Sequence, residues 1–296
     1  MGAAAEIKAA LLQEGSPLTL DEISFWAECT PKLDMKTVQS TLSHTQIVQC
    51  IRGWQTEKER VKETVENINR IVKWKISSKC KENTHLPNSD VDFLTASWGS
   101  VIYGADEHNH LVFVEGIKTI KATDILGHFK DDELLMNTRG VIMEALEIKK
   151  GNYVEGEEVN KTYKHIYIFD LAGLEMSHFS AAVRRIVKNV IVEIGNIYAE
   201  SLYKMFIVNS PFVFRGVWSI ISPWLHPVTR NKIKILGGGS SLVKELVKNE
   251  IPIESIPKNL GGGHEGRNII EDIRAWRSER EKMRQFKLAT FTPTPC

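Results

Sequence analysis

Residues 202–236, LYKMFIVNSPFVFRGVWSIISPWLHPVTRNKIKIL, decide the fold of this chain. They read as a strand over Tyr203–Val208, a sharp stop at Asn209-Ser210-Pro211, an apolar helix, a Pro-Val-Thr turn from Pro227, and a further strand over Lys232–Leu236. From Phe214 onward, Val217, Trp218, Ile221 and Leu225 recur at helical spacing and make one continuous face. Phe212, Val213, Ile220 and Trp224 add apolar bulk elsewhere around it. A helix this apolar sits in a core, meets a membrane surface, or covers an apolar ligand. It is too short to span a bilayer. Pro223 sets a stop near its end, and Gly216 loosens its middle as a hinge position.

Upstream, strands and helices alternate. Trp98–Tyr103 and Leu111–Glu115 read as strands around a turn at Asp106-Glu-His-Asn. Asp131–Lys150 reads as a helix followed by a polar Gly- and Glu-rich loop. His165–Leu171 reads as a buried strand. Phe179–Tyr198 reads as a helix with Val183, Ile186, Val187, Val190, Ile191, Ile194 and Ile197 on its apolar face. This alternation predicts an α/β sheet covered by helices. The first eighty or so residues read instead as helices. One starts at Leu18-Thr-Leu-Asp-Glu with Thr19 as its cap; another runs over Glu57–Ile76 with Val61, Val65, Ile68, Val72 and Ile76 as its stripe. Lys79–Asp90 is polar and reads as a linker, and Ile269–Lys287 reads as a charged, solvated helix before a disordered TFTPTPC tail. The expected division is a helical segment over 1–85, a sheet domain over 90–265, and a charged helix and tail over 266–296.

Composition narrows the function class. Lys plus Arg is 38 against 37 for Asp plus Glu, so the chain lacks the charge excess of a nucleic-acid binder. The N-terminus MGAAAEIKAALLQEG has no basic start and no apolar h-region, so no secretory leader is expected; Glu6 stands where myristoylation calls for Ser or Thr. Cys29, Cys50, Cys80 and Cys296 have neither metal nor redox spacing and read as reduced cytoplasmic thiols, and Cys296 is no prenylation box. The scattered histidines, among them His108, His110 and His165, make no metal motif, and no G-x-S-x-G elbow is present. Asp170 reads as an acceptor for loop amides, Gly237-Gly-Gly-Ser as a strand-to-helix turn lacking the phosphate-loop Lys, and Gly261-Gly-Gly-His as a chain reversal.

The order of motifs from Ile47 to Gly262 resembles the CRAL-TRIO lipid-binding domain family, of the secretory phosphatidylinositol-transfer-protein type. The residues that carry the resemblance are Ile47-Val-Gln-Cys-Ile-Arg-Gly-Trp with Lys73-Trp74, Tyr103-Gly-Ala-Asp-Glu-His-Asn-His-Leu-Val-Phe, Ile168-Phe-Asp-Leu-Ala-Gly-Leu, Tyr198-Ala-Glu200, Phe206-Ile-Val-Asn-Ser-Pro-Phe212, Leu225-His-Pro-Val-Thr-Arg-Asn-Lys-Ile233 and Leu260-Gly-Gly. The resemblance implies a mixed sheet with a mobile gate helix over an apolar pocket. The pocket and gate residues it points to are Tyr103, Phe113, Ile168, Ile207, Phe212, Phe214, Val217, Trp218, Ile221 and Leu225, with Gly216 as hinge.

For the polar end the resemblance implies Glu200, Thr229, Lys232 and Ser177 as headgroup contacts. The plain residue reading leaves an alternative open: Glu200 and Lys232 as a structural ion pair, and Thr229 as a turn cap. Two departures bear on the headgroup. The basic pair of inositol-binding relatives is replaced by Trp54 and Gln55, and the phosphatidylcholine-type positions hold Glu175, Ser177 and Phe113. The implied protein is a non-enzymatic cytoplasmic carrier or presenter of a phospholipid such as phosphatidylinositol or phosphatidylcholine. It would touch membranes transiently, with bound lipid as its only cofactor, no metal and no nucleic acid. The rival is a scaffold that binds a protein partner and holds lipid structurally.

Overall fold

The computed structural model describes residues 14, 16–54, 58–152 and 162–290. Six strands form one sheet in the order β5-β4-β3-β2-β1-β6. They are β1 (Ser100–Ala105), β2 (Leu111–Gly116), β3 (His165–Asp170), β4 (Leu202–Val208), β5 (Ile233–Ile235) and β6 (Arg267–Asn268). β2, β3, β4 and β5 run parallel to one another, while β1 is antiparallel to both β2 and β6. The mixed α/β architecture is thus the expected one.

Period-two alternation sends side chains of the central strands to two cores. Val112, Val114, Ile166, Ile168, Phe206 and Val208 pack on one face against Leu242 and Leu246 of a helix over Leu242–Lys248, with Ile251, Ile256 and Leu260. The other face carries Phe113 and Tyr167 toward a large helical core, and Ile207 and Met205 toward a smaller cluster around Phe214.

The helical core draws on both ends of the chain. α1 (Leu20–Cys29) starts with a capping box in which Thr19 and Glu22 bond each other's backbone amides. α2 (Met35–Thr41), α3 (His44–Arg52) and α4 (Arg60–Ser78) follow. α4 buries Ile68, Ile71 and Val72, whereas Ile76, expected in its stripe, is 55% exposed; the stripe turns away before it and Lys75 takes the inner position beside Glu144. The expected linker over Lys79–Asp90 is partly helical: α5 (Cys80–Asn83) buries Cys80, and α6 (Ser89–Ser97) begins on an Asn88 cap. α7 (Ala122–His128) was not legible as a helix in the sequence. α8 (Asp132–Glu147) lies across this core and continues into a π-turn at Ile148–Asn152. α9 (Ala181–Asn189) runs without a gap into a π-turn, Val190–Ile194, and a last turn at Gly195–Ile197, so the expected Phe179–Tyr198 helix is present with a π-turn inside it. α10 (Phe214–Ile221) is the apolar helix, shorter than its apolar run; α11 (Pro227–Asn231) precedes β5, and α12 (Leu242–Lys248) follows it. α13 (Ile269–Thr290) is not wholly solvated, because Ile269, Ile270 and Ile273 of its first turns lie in the helical core. Gly2, Glu6, Gln55, the Gly- and Glu-rich loop over 153–161 and residues 291–296 of the tail lie outside the described residues.

Glycine is required where α8 meets α4. A Cβ on Gly140 would stand 2.1 Å from Trp74 Cη2. The Trp74 ring also meets Tyr198 edge-on at 6.2 Å, and the Tyr198 hydroxyl donates to Gly140 O and Glu144 Oε2, each at 2.9 Å. Gly140→Ala therefore overpacks a site with no room to give. It should lower unfolding free energy by about 1–3 kcal/mol, read as a lower urea midpoint at unchanged slope.

Candidate functional site

A cavity of about 1060 Å³ opens beside the sheet face that carries Tyr167, Phe169, Met205 and Ile207. That is at or above the upper end of ordinary ligand pockets, roughly 300–1,000 Å³. α9 and its π-turn supply the opposite wall with Val183, Ile186, Val187 and Val190, and α10 closes a third side with Phe214, Val217, Trp218 and Ile221. The helix end adds Leu225, and Gly216 also borders the space. Phe214 is buried against Leu171 and Ile207; Val213 and Ile220 border the cavity while about half exposed, and Phe212, just before the helix, is 80% exposed. The apolar side of α10 is thus partly open to solvent at the edge of the cavity.

The strand before this helix is held by one carboxylate. Asn209 adopts a left-handed conformation (φ 51°) and its Nδ2 donates to Asp170 Oδ1 at 2.7 Å. The same oxygen accepts from Ala172 N at 2.9 Å, so Asp170 is the loop-amide acceptor expected from its place at a strand end. Gly237, Gly238 and Gly239 form the turn between β5 and α12.

Seven of the sequence-designated pocket, gate and hinge residues border the cavity: Ile207, Phe214, Gly216, Val217, Trp218, Ile221 and Leu225. Four do not, and each is corrected for a physical reason. Ile168 and Tyr103 have the wrong strand parity and belong to the packed core on the other face, Tyr103 meeting His264 edge-on at 5.5 Å. Phe113 is on the cavity side of the sheet but enclosed in the helical core, its ring 5.5 Å from Tyr167. Phe212 precedes the helix and faces out, with the Arg215 guanidinium 4.9 Å from its ring. The side chain of Ser177 lies outside the described residues.

Sequence reasoning missed Trp98, Arg139, His165, Tyr167 and Phe169, all on the cavity wall. For Tyr167 and Phe169 the sequence held no signal of parity, because HIYIFD is apolar at nearly every position. The α9 wall was legible as an apolar face without its being legible as a cavity wall.

The polar end of the cavity brings together Glu200, Thr229 and Lys232. Glu200 Oε2 lies 3.4 Å from Lys232 Nζ and 3.1 Å from Lys164 Nζ. Lys232 also donates to Leu202 O at 2.9 Å. Thus two ammonium groups share one carboxylate, with Trp54 on the cavity wall and Gln55 outside the described residues. Burial would raise the Glu200 carboxyl, but Lys232 and Lys164 outweigh it and hold the group below its ordinary value. Burial pulls the Lys232 ammonium down further than Glu200 lifts it. Lys164 moves up, since its carboxylate partners outweigh the burial that opposes them. His165, beneath this end, is pushed well down by complete burial and by the neighbouring Lys150, so its imidazole is neutral.

Among the described residues no group of three or more His, Cys, Asp or Glu could hold a metal ion, and no helix is long and apolar enough to cross a membrane. The chemistry on offer is an apolar chamber with a cationic rim.

Residues 96–262 match the CRAL/TRIO domain family, and the chain belongs to it. Among curated proteins, the SEC14 cytosolic factor of Kluyveromyces lactis is 38% identical over 117 residues, covering 38% of this chain and 38% of that protein. The phosphatidylinositol transfer protein CSR1 of Eremothecium gossypii is 37% identical over 98 residues, covering 33% of this chain and 21% of that one. These matches span less than two fifths of each relative's length. Among solved structures, Sfh5 superposes with a TM-score of 0.54 at 16% identity, covering 84% of this chain and 83% of that chain, which is a likeness of fold.

The Glu200 position makes a pH prediction. Its folded pKa lies under its unfolded value, so its stabilisation is complete above the ordinary value of 4.5 and is lost as pH falls through the folded value. Glu200→Gln leaves Lys164 and Lys232 without their carboxylate and should cost about 1–3 kcal/mol at neutral pH. The gap between variant and native protein, followed by urea unfolding, should close as pH falls below 4.5.

Proposed function

We propose that this chain binds one lipophilic molecule, most consistently a phospholipid, and carries or presents it at membranes without chemical change. The observation that carries the reading is the cavity of about 1060 Å³, walled by aliphatic and aromatic side chains and closed by α10. Each methylene moved from water into such a wall contributes roughly 0.8 kcal/mol. Membership of the CRAL/TRIO family and the printed descriptions of the relatives, one a phosphatidylinositol transfer protein, support the same class.

In this reading α10 is the gate. Its cavity side (Val217, Trp218, Ile221) covers the acyl chains, and the exposed Phe212 with the half-exposed rim residues Val213 and Ile220 meets the bilayer surface when it opens. Gly216 is the hinge, with open space around it. Lys232, on the cavity wall beside Glu200, is the cation for a headgroup phosphate, and Thr229 is the hydroxyl donor on the same wall. Phosphatidylinositol and phosphatidylcholine are the leading ligands. The working locale is the cytoplasm, with transient membrane contact, no metal and no nucleic acid. The division into 1–85, 90–265 and 266–296 belongs to this reading too, with the outer segments bracing the helical wall.

Native mass spectrometry of gently purified protein should show one lipid per chain, and the protein should move labelled phospholipid between vesicles. Trp218→Asp puts a charge on the cavity wall and should reduce the loaded fraction at least several-fold while the fold persists. Protein free of lipid and inactive between vesicles would sink the proposal.

A second reading has a specific observation behind it: Trp54, not a cation, stands on the wall where inositol-binding relatives are basic. A scaffold that holds lipid structurally and binds a protein partner would tolerate that. The double variant Lys232→Ala, Glu200→Ala separates the two. Loss of phosphoinositide transfer with folding retained supports the carrier; unchanged lipid content with lost partner binding supports the scaffold.

A further inference from the structure

Outside the cavity wall, a buried imidazole lies between two carboxylates. His110 closes the turn between β1 and β2 and is fully enclosed. Its Nδ1 lies 2.8 Å from Asp106 Oδ2, and its Nε2 lies 3.1 Å from Glu14 Oε2. The ring stacks on Tyr203 of β4, with centroids 3.8 Å apart. Asp106 belongs to the same turn, where its Oδ1 accepts from His108 N at 2.9 Å and from His110 N at 2.8 Å. Glu14 comes from far away in the chain. Its Oε1 accepts from the backbone amides of Tyr163 and Lys164, at the entry to β3. Arg52 holds the same segment by its backbone, Nη1 donating to Glu14 O at 3.4 Å and Nη2 to Ser16 O at 3.0 Å.

A neutral imidazole has one N–H and one lone pair, so only the imidazolium donates to both carboxylates. Burial would pull the ring down, but hydrogen bonds and charge from Asp106 and Glu14 outweigh it and raise it above its ordinary value of 6.5. Burial would raise the Glu14 carboxyl, but His110 and then Lys164 outweigh it and hold the group low. No other group around the ring replaces this pairing. Burial pushes the Tyr203 phenol up, so it is neutral, and His165 is neutral as well. His108, its ring 6.3 Å away, faces Glu250 at 3.5 Å. Lys164 Nζ lies 3.1 Å from Glu200 Oε2, and Lys204 Nζ lies 3.6 Å from Glu250 Oε2. When the ring loses its proton, the shorter and local bond keeps the remaining N–H on Asp106. The Nε2 lone pair then faces the Glu14 carboxylate, and repulsion replaces the hydrogen bond.

We infer that His110 is a proton-operated clasp: charged, it holds the Glu14 side chain against the entry to β3, and on losing its proton it lets that side chain go. The hold is complete below 6.5 and is lost as pH rises through the folded value of the ring. Arg52 bears a permanent charge, so its grip on the backbone of Glu14 and Ser16 does not change with pH. What the release alters is Lys164. Its amide is bonded to Glu14, and its ammonium braces Glu200, which pairs with Lys232 at the polar end of the cavity. The clasp thus couples that end, through Lys164, to a proton held outside the cavity. It stands on these contacts alone and does not depend on what fills the cavity.

Two readings on the full chain test it. The His110 ring resonance, assigned through its own backbone, should titrate with a midpoint above 6.5. Hydrogen exchange at the Tyr163 and Lys164 amides should be slow up to that midpoint. Above it, after correction for base catalysis, their protection should fall about tenfold per pH unit, as the release of one proton requires. Amides within β2, away from Glu14, should keep their protection. Glu14→Gln leaves an amide whose oxygen accepts from Tyr163 and Lys164 and whose NH2 donates to a neutral His110. That variant should stay protected over the range in which the native protein loses protection, and its ring midpoint should move down. A native midpoint at or below 6.5, native protection that ignores pH, or a variant that opens in step with the native protein overturns the clasp. So does a loss of β2 protection in step with Tyr163 and Lys164, which marks general unfolding.

Discussion

Everything in this molecule depends on β3 and β4 being covered on both faces. A parallel strand pair at the centre of a sheet cannot show a face to water, so each face needs its own apolar cover. One cover is a packed core against α12. The other is shared between the helical core around α8 and the walls of a chamber. Because side chains alternate at period two, Ile166–Phe169 and Met205–Val208 are assigned by parity to a packed face or to the cavity side, while a register shift at the start of the strands puts Tyr203 in the packed core and Leu202 on the cavity. A one-residue slip in register would exchange Ile166 and Ile168 for Tyr167 and Phe169 and put packed aliphatics on the cavity wall.

That parity also marks how far the sequence could be read. The stretch 202–236 gave its strand, stop, helix and strand because each boundary has a chemical cause: Asn209 and Pro211 end the strand, Pro223 ends the helix, and Pro227 opens the short helix α11 where a turn was expected. The gate-facing residues followed from helical spacing, which distinguishes inner from outer positions. The central strands gave no such contrast, since both faces are apolar. Ile168 was therefore placed on the cavity and Tyr167 overlooked. Phe212 failed differently: apolar character was legible, but its exposed side was not. The missed wall residues Trp98 and Arg139 come from elements distant in the chain, and only the sheet and α8 together bring them to one place.

The polar groups around the chamber show a division of labour. Glu115 and Glu144 take charged partners deep in the helical core, fixing α8 against the sheet and against α4. Removing one member of such a pair leaves a buried charge, so these contacts specify geometry more than they add net stability. Glu200 differs because it sits at the cavity's end with two lysines.

The size of the chamber bears on what fills it. At about 1060 Å³ the chamber is far larger than a packing defect and is open to solvent on one side, so water or a ligand occupies it. Water is a poor occupant of the stretch between α9 and α10, where Val183, Val187, Val190, Val217 and Ile221 offer it no hydrogen bonds. Water suits the polar end, at Glu200 with Lys232. On the proposed reading, a single molecule with a long apolar body and a charged end would satisfy both regions at once, and binding it would stabilise the protein. The same reading would place release at a membrane: emptying the chamber into water exposes its walls, whereas exchanging one lipid for another at a bilayer surface would keep them covered.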